Sequence, residues 1–483
     1  MAAKAPRREL PGPLQPRLIE AIAGCLQMSI DFDAFLNAMP RPLWTPAMTA
    51  WRTLSTNAAM AVTWPSITLH QFEYAPNVLS MLRSTLSLGP HVTFNQSIIH
   101  ACELAAVVPT IGPAIKALSL AVEDEQLHPG EGQAVADLVR QCSSLRELKI
   151  ESTVYMEGDP EPELDALLGA VAHPTVRHLE LTLFYPNAPR LGTFLSQWLQ
   201  SAPAKKLCLL RVTFQDGDAF CDGVQANRTL VHLDLHEIEG IDGLRGRRLP
   251  SSLRYLVWGA THSGDSATLD NMAHALERTR LKHLRCAFFE EVASRPAAWP
   301  MLPHLTSLDT GDGMNVAQMQ LLLEALARLA SLKELKLANF GFDASTFDVV
   351  LPALVIHCPY LTDLDLQGNA CDDETIKKLL AVAPQLPRLR HLTASRDQYN
   401  VLGYIPELVA AGRHLKSLSM DAPGRRHHGI DAKLKMFRAL AKIQDQPFYV
   451  GGRTLDTCPR ILPDMFLPNT GTVDPTTRCR LAI

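Results

Sequence analysis

Apolar residues follow two alternating rhythms along most of this chain. From Leu361 they lie three and then two residues apart, which is typical of a short strand with one buried face. From Ile376 they fall at i, i+3, i+4 and i+7, which is the spacing of one face of a helix. The change of period predicts a structural unit made of a strand, a turn and a helix.

Units of this kind recur along the chain. The pattern L-x-x-L-x-L, with substitutions, begins at twelve positions: Ile115, Leu145, Val176, Leu207, Leu230, Leu253, Leu281, Leu305, Leu332, Leu361, Leu389 and Leu415. The mean step is about 27 residues. One unit cannot cover its own apolar faces, whereas stacked units share a continuous core. We therefore predict an α/β fold, with a parallel sheet on the inner curve and an outer ring of helices.

The connections between the strands carry two further signals. Small polar residues precede several helical stripes, and Ser266, Ser345 and Asp373 are predicted to be helix N-caps. The segment "EIEGIDGLRGRRLPSS" lies between the closely spaced starts at Leu230 and Leu253 and leaves no room for a full helix. We expect a shortened connection there.

The chain resembles the ribonuclease-inhibitor-type leucine-rich-repeat family from about residue 110 to residue 445. The stretch "LDLQGNACDDETIKKLL" fits that family's consensus, with Asn369 where an asparagine usually closes the turn after the strand. The resemblance implies a horseshoe-shaped solenoid of about twelve strand–helix repeats over residues 71–445, with a C-terminal capping segment and tail at 446–483. It implies little about function, since this scaffold hosts many unrelated binders.

Residues 1–70 do not follow the repeat, and we expect an all-helical N-terminal cap there. A Leu-Pro pair, a helical leucine and isoleucine stripe, and Trp64 just before a strand resemble the F-box family. The resemblance implies docking to a Skp-type adaptor of a cullin ubiquitin ligase through Leu10, Pro11, Leu14, Leu18, Ile19 and Ile22. The alternative is that this F-box-like cap only shields the first repeat's exposed core.

Composition and motifs narrow the classes of function. The formal net charge of -4, with no long run of one sign, argues against nucleic acid as a partner. The ten cysteines are scattered, and we expect reduced thiols. We see no secretory signal or membrane-spanning stretch, which predicts a cytoplasmic or nuclear protein without a membrane partner. No catalytic motif, nucleotide-binding loop or cysteine-histidine metal spacing occurs, so we expect no enzyme activity, cofactor or metal site.

The third and fifth positions of the repeat point away from the core. Four histidines and one tyrosine at third positions form the predicted partner-binding surface on the concave face: His178, His232, Tyr255, His283 and His391. The alternative is that they are ordinary solvated residues of the inner sheet. The fifth positions alternate in charge and include Arg211, Arg285, Asp309 and Lys336, which predicts a self-neutralising ladder and no net field.

Two functions of different class follow from these patterns. The first is a protein–protein interaction module that acts as an F-box-type substrate receptor of a cullin ubiquitin ligase and binds its substrate on the repeat surface. The second is a stand-alone leucine-rich-repeat binding, inhibitor or scaffold protein with no role in ubiquitin ligation.

Overall fold

A computed structural model describes most of the chain. The described residues are 15–57, 60–70, 74–94, 97, 100–122, 127–152, 162–184, 188–259, 265–311, 316–396, 407, 411, 414–421 and 480–482. The chain forms two compact units, Met1–Leu230 and Val231–Ile483. We call them the first and the second unit.

The first unit begins with three helices and a hairpin. The helices are α1 (Pro16–Cys25), α2 (Ser29–Ala38) and α3 (Pro46–Leu54), and the hairpin pairs β1 (Met60–Thr63) with β2 (Ser66–Leu69). Phe32 stacks on Trp64 with ring centroids 4.0 Å apart, and Trp51 meets both rings edge-on. The prediction of an all-helical segment up to residue 70 is therefore wrong for residues 60–69, where β-branched residues favour strands.

The rest of the first unit alternates strands with helices. Its strands are β3 (His91–Phe94), β4 (Ala117–Val122), β5 (Glu147–Ser152), β6 (His178–Leu183) and β7 (Lys206–Thr213). Its helices are α4 (Pro76–Thr85), α5 (Ala101–Ile111), α6 (Glu131–Arg140), α7 (Pro162–Leu168), α8 (Leu191–Ser201) and α9 (Gly217–Ala226). Strand β2 pairs in parallel with β3, and β4, β5 and β6 each pair in parallel with the strand that follows.

The second unit continues the same alternation. Its strands are β8 (His232–Glu239), β9 (Tyr255–Trp258), β10 (His283–Cys286), β11 (Ser307–Asp309), β12 (Glu334–Lys336), β13 (Asp363–Cys371), β14 (His391–Arg396), β15 (Ser417–Asp421) and β16 (Arg480–Ala482). Neighbouring strands all pair in parallel. Its helices are α10 (Ser266–Leu276), α11 (Phe289–Ala293), α12 (Val316–Leu326), α13 (Ala344–His357) and α14 (Asp373–Val382). None of the helices among the described residues has the length and apolar character needed to cross a bilayer.

Repeat leucines form the core between strands and helices. Leu361, Leu364 and Leu366 are all buried, whereas Asp363 and Asp365 between them are half-exposed. Parallel register places the middle leucine of each repeat beside its equivalents, as in the row of Leu335, Leu364 and Leu392 on β12, β13 and β14. Both units therefore have the α/β leucine-rich-repeat fold, as predicted. The predicted repeat count and horseshoe remain predictions.

One predicted repeat frame is wrong. The pattern "LCLLRV" suggests a repeat that starts at Leu207. However, Leu207 is paired in register with Leu179, which is the fourth position of the repeat that starts at Val176. The β7 repeat therefore starts at Ala204, which is fully buried. The error arises because Leu207, Leu209 and Leu210 offer several leucine spacings, and a small alanine holds the first position.

The helix N-caps lie one or two residues before the predicted ones. Asp265, Asp343 and Asp372 accept hydrogen bonds from the backbone N–H groups of Thr268, Thr346 and Thr375, at 2.9, 2.8 and 2.8 Å. Each cap thus belongs to an Asp-x-x-Thr motif. The predictions for Ser266, Ser345 and Asp373 are wrong because an aspartate just ahead in the sequence accepts these hydrogen bonds.

The shortened connection is confirmed. After β8 the chain makes only a three-residue 3-10 helix, Asp242–Leu244, before returning to β9. Gly243 has a φ of 64°, and a Cβ there would lie 2.5 Å from the carbonyl oxygen of Thr268. The close approach of α10 therefore requires glycine at this position.

Candidate binding surface

The sheet of each unit has one face that the helices do not cover, which we call the open face. In the second unit the open face holds a groove of about 460 Å³ that extends from β8 to β14. Third- and fifth-position side chains line it, since the intervening leucines point into the core. The structure therefore assembles this groove from residues far apart in sequence.

An aromatic column crosses one end of this groove. The rings of His232 and Tyr255 are stacked with centroids 4.1 Å apart and planes 9° from parallel. The ring of His283 lies 5.7 Å from Tyr255 on its other side. Tyr255 is still 36% exposed, so the ring offers its edge to solvent while its faces are covered. The structure thus brings three of the five predicted partner-binding residues together.

The other two predicted residues lie apart from the column. His391 lines the same groove on β14, and its Nδ1 lies 2.6 Å from the hydroxyl of Ser417. His178 belongs to the open face of the first unit, where its Nδ1 lies 3.3 Å from Glu147. The five residues therefore do not form one site.

The middle of the groove carries the predicted charge ladder. The carboxylate of Asp309 lies 3.6 Å from the guanidinium of Arg285 and 3.3 Å from the ammonium of Lys336. These three residues are at fifth positions of adjacent strands, in register with one another. The ladder is confirmed at this point.

The charges of the groove do not cancel. Five carboxylates and two permanently cationic side chains line it. The single carboxylate of Asp309 faces both Arg285 and Lys336, so these three residues together carry a net charge of +1. Asp234 lies 3.0 Å from the imidazole of His236. Among the described residues, no lysine or arginine is paired with Glu334, Asp363 or Asp365, which lie on the adjacent strands β12 and β13. The prediction of an inner face without a net field is wrong here, because it counted the fifth positions alone.

The open face of the first unit is balanced by comparison. Its groove of about 250 Å³ is lined by two carboxylates and two lysines. The ammonium of Lys149 lies 2.8 Å from Glu151 and 3.4 Å from Glu180, and its hydrogen bond to Glu151 raises the pKa of Lys149. Arg211 is not part of this ladder, since Cys208 holds the position beside Glu180 and Arg211 stacks on Phe184.

The N-terminal segment exposes part of its predicted adaptor surface. Leu18 and Ile22 lie one turn apart on α1 and are 50% and 41% exposed. Ile19 is only 2% exposed, so the prediction that it contacts an adaptor is corrected: it packs in the core of this segment. Leu10, Pro11 and Leu14 lie outside the described residues. Within the described part of the stripe, the exposed residues are therefore Leu18 and Ile22.

Several groove residues were not predicted as site residues. Glu334 and Asp363 follow one another at third positions, so their juxtaposition could have been inferred from the repeat frame. His236 is the residue that follows the six-residue pattern, so the pattern does not predict where its side chain lies. The contact of its imidazole with Asp234 depends on how β8 continues past the pattern.

Comparisons with known proteins give matches of fold only. No protein-family model matches the chain, and no curated protein matches it. Among solved structures it is similar to TLR13 in a complex with ssRNA13, with 14% identity, 74% of this chain and 56% of that one covered, and a TM-score of 0.39. A chain of the yeast Rad7 and Elc1 complex has 15% identity, 85% and 93% coverage and a TM-score of 0.38. The leucine-rich-repeat-containing protein LegL7 from Legionella pneumophila has 17% identity, 68% and 99% coverage and a TM-score of 0.37.

This chain spans little more than half of the length of the TLR13 chain. At these scores the likenesses carry no argument about function. The expectation that nucleic acid is not a partner stays a prediction.

Proposed function

We propose that this chain is a protein-binding repeat protein that holds its partner on the open face of the second unit. The observation that carries the proposal is the exposed edge of Tyr255, held between two histidine rings at one end of a groove of about 460 Å³. Tyrosine is enriched among residues that dominate the energy of protein interfaces. Enzyme activity, cofactor binding and membrane association are not part of the proposal.

The aromatic column suits a binding anchor because it is already ordered. A free tyrosine loses side-chain freedom when a partner immobilises it, which weakens binding. Here the neighbouring rings restrict Tyr255 before any partner arrives. Its binding contacts should therefore require little further loss of side-chain entropy.

The test compares the proteins that two double variants retain from a cell extract. Tyr255→Ala with Ser307→Arg changes the groove, and Val349→Ala with Gln385→Arg makes matched changes to exposed positions on the helix side of the same unit. We expect proteins retained by the unchanged chain to be lost from the groove variant and kept by the control. Equal capture by both variants, with unchanged thermal unfolding, would exclude the open face as the binding surface.

The exposed pair Leu18 and Ile22 favours a second function, an F-box-type substrate receptor. In this proposal the pair docks a Skp-type adaptor, while the groove of the second unit holds the substrate. Large apolar side chains exposed on one helix face are suited to bury area against a partner. The alternative is a stand-alone binding or scaffold protein, in which the N-terminal segment only covers the first repeat.

Binding to a purified Skp-type adaptor separates these alternatives. Leu18→Asp with Ile22→Asp should abolish adaptor binding without unfolding the chain, because both side chains are substantially exposed. The control is Val349→Asp with Ile356→Asp, two exposed apolar residues of α13. If the unchanged chain does not bind the adaptor, the stand-alone function is the one that remains.

A further inference from the structure

We infer that the groove of the second unit recognises an extended basic segment of the partner, with an apolar side chain against Tyr255 and arginine or lysine side chains at Glu334 and Asp363. The inference rests on the proposed function and specifies the chemistry of the ligand. It is carried by charge complementarity within the groove and by the separation of its two ends.

The groove keeps an excess of negative charge after its internal ion pairs are formed. Arg285 and Lys336 are both engaged by Asp309, and His236 faces Asp234. Glu334 is exposed and Asp363 is half-exposed, and the two are paired in register on β12 and β13. Adjacent like charges on a sheet destabilise it. A cation from a partner would relieve that repulsion and form charge-assisted hydrogen bonds.

The neighbours of these two carboxylates do not supply that cation. Asp363 accepts a hydrogen bond from the hydroxyl of Thr362 at 2.6 Å, which leaves its charge in place. Asp365, next on the same face of β13, accepts the backbone N–H of Gln367 at 2.9 Å. His391 is in register with Asp363 on the other side, and its Nδ1 lies 2.6 Å from the Ser417 hydroxyl.

The spacing of the two ends sets the length of the ligand. Strands in a sheet lie about 4.8 Å apart, so Glu334 and Asp363 lie about 14 and 19 Å along the sheet from Tyr255. An extended peptide advances about 3.3 Å per residue. The apolar and basic residues of the ligand should therefore be about four to six residues apart.

The aromatic end selects an apolar residue rather than a cation. A cation binds best over an aromatic face, but His232 covers one face of Tyr255 and His283 lies against the other. The ring edge that remains is suited to van der Waals contact with an aliphatic side chain. The two ends of the groove thus differ in chemistry, which gives the ligand a direction.

The experiment measures fluorescence anisotropy with defined peptides and the full chain. One labelled peptide carries a leucine, four glycine and serine residues, and two arginines, and a second has glutamates in place of the arginines. Glu334→Gln with Asp363→Asn removes the charges while preserving size. The matched control, Glu147→Gln with Glu180→Gln, removes two charges from the open face of the first unit.

We expect the arginine peptide to bind at low salt and the glutamate peptide to bind at least tenfold more weakly. The groove variant should lose at least tenfold in affinity for the arginine peptide, and the control should change less than twofold. Equal binding of the two peptides, or equal loss in both variants, would overturn the inference. If that happens while the Tyr255→Ala and Ser307→Arg variant still loses its captured partner, the proposed function stands and only the basic ligand is excluded.

Discussion

At the scale of single residues, Asn369 of β13 shows how one side chain joins the backbones of two successive repeats. Its amide nitrogen donates to the carbonyl oxygens of Leu337 and Leu366 at 2.8 and 2.9 Å. Its side-chain oxygen accepts the backbone N–H groups of Phe340 and Phe342 at 3.0 and 3.2 Å. One buried side chain therefore satisfies four backbone groups of two successive repeats. The resemblance predicts Asn369 in the turn after the strand, whereas the structure places it inside β13, where the register with β14 is irregular between Leu366 and Cys371.

Replacing Asn369 by alanine should destabilise the second unit by about 2–4 kcal/mol, because several buried backbone groups would lose their partners at once. Denaturant unfolding measures the loss. Gln367→Ala is the control, since Gln367 is exposed on the same turn. A loss for Asn369→Ala no larger than that for Gln367→Ala would show that water or backbone shifts replace these hydrogen bonds.

Glu290 is an unusual residue in the core of the second unit. Its side chain is 2% exposed, and burial raises the pKa of its carboxyl group to about 8, with a smaller contribution from the nearby carboxylate of Glu291. The folded chain therefore keeps this proton up to about pH 8, whereas the unfolded chain releases it near pH 4.5. The contribution of this carboxyl group to the free energy of unfolding is fully present below pH 4.5, and it is lost as the pH rises to about 8.

Glu290→Gln should remove that fall, because glutamine has a similar shape and no charge to bury. We expect the variant to match the unchanged chain near pH 4.5 and to exceed its free energy of unfolding at pH 8 by a few kcal/mol. Chemical unfolding at both pH values measures the difference, with the exposed Glu324→Gln as control. A constant difference between variant and unchanged chain across this range would refute the raised pKa.

At the scale of elements, helices of the first unit are capped by carboxylates from the following repeat. The Glu163 carboxylate accepts the backbone N–H groups of Gly130 and Gly132 at the start of α6, at 2.8 and 2.9 Å. The Asp216 carboxylate accepts those of Gly192 and Thr193 at the start of α8, at 2.8 and 2.7 Å. Negative charge at a helix N-terminus is favourable, so these contacts join neighbouring repeats.

Gly132 is required for this contact between repeats. A Cβ at that position would lie 1.9 Å from the carbonyl oxygen of Glu163, which is backbone and cannot easily move. Gly132→Ala should therefore destabilise the first unit by about 1–3 kcal/mol in denaturant unfolding. Gly169→Ala is the control, because its nearest contact is a side-chain atom of Arg140 at 3.5 Å. Equal stability of the two variants would mean that α6 and α7 shift without loss.

The sequence predicts these elements unevenly, for physical reasons. Strand frames follow from leucine spacing because burial leaves little choice of residue, and the exception is β7, where Ala204 replaces the first leucine. Helix caps are misplaced because serine and aspartate side chains both suit the position, and only the fold selects Asp343 over Ser345. The stacking of Tyr255 on His232 needs the register between β8 and β9, which the third positions of the repeat supply.

At the scale of the whole molecule, the two units offer open faces of different character. The groove of the first unit is lined by equal numbers of carboxylates and lysines, and that of the second unit has an excess of carboxylates and an aromatic column. Composition gives a net charge of only -4, so this difference between the units is invisible in the total. We assign partner binding to the second unit for this reason.

Site-specific photo-cross-linking tests that assignment most directly. A photoreactive amino acid at position 307 in the groove keeps Tyr255 intact, and the same amino acid at position 349 lies on the exposed helix side of the same unit. We predict that a partner captured by the unchanged chain will cross-link from position 307 and not from position 349. A partner that cross-links from position 349 and not from position 307 would contradict the account.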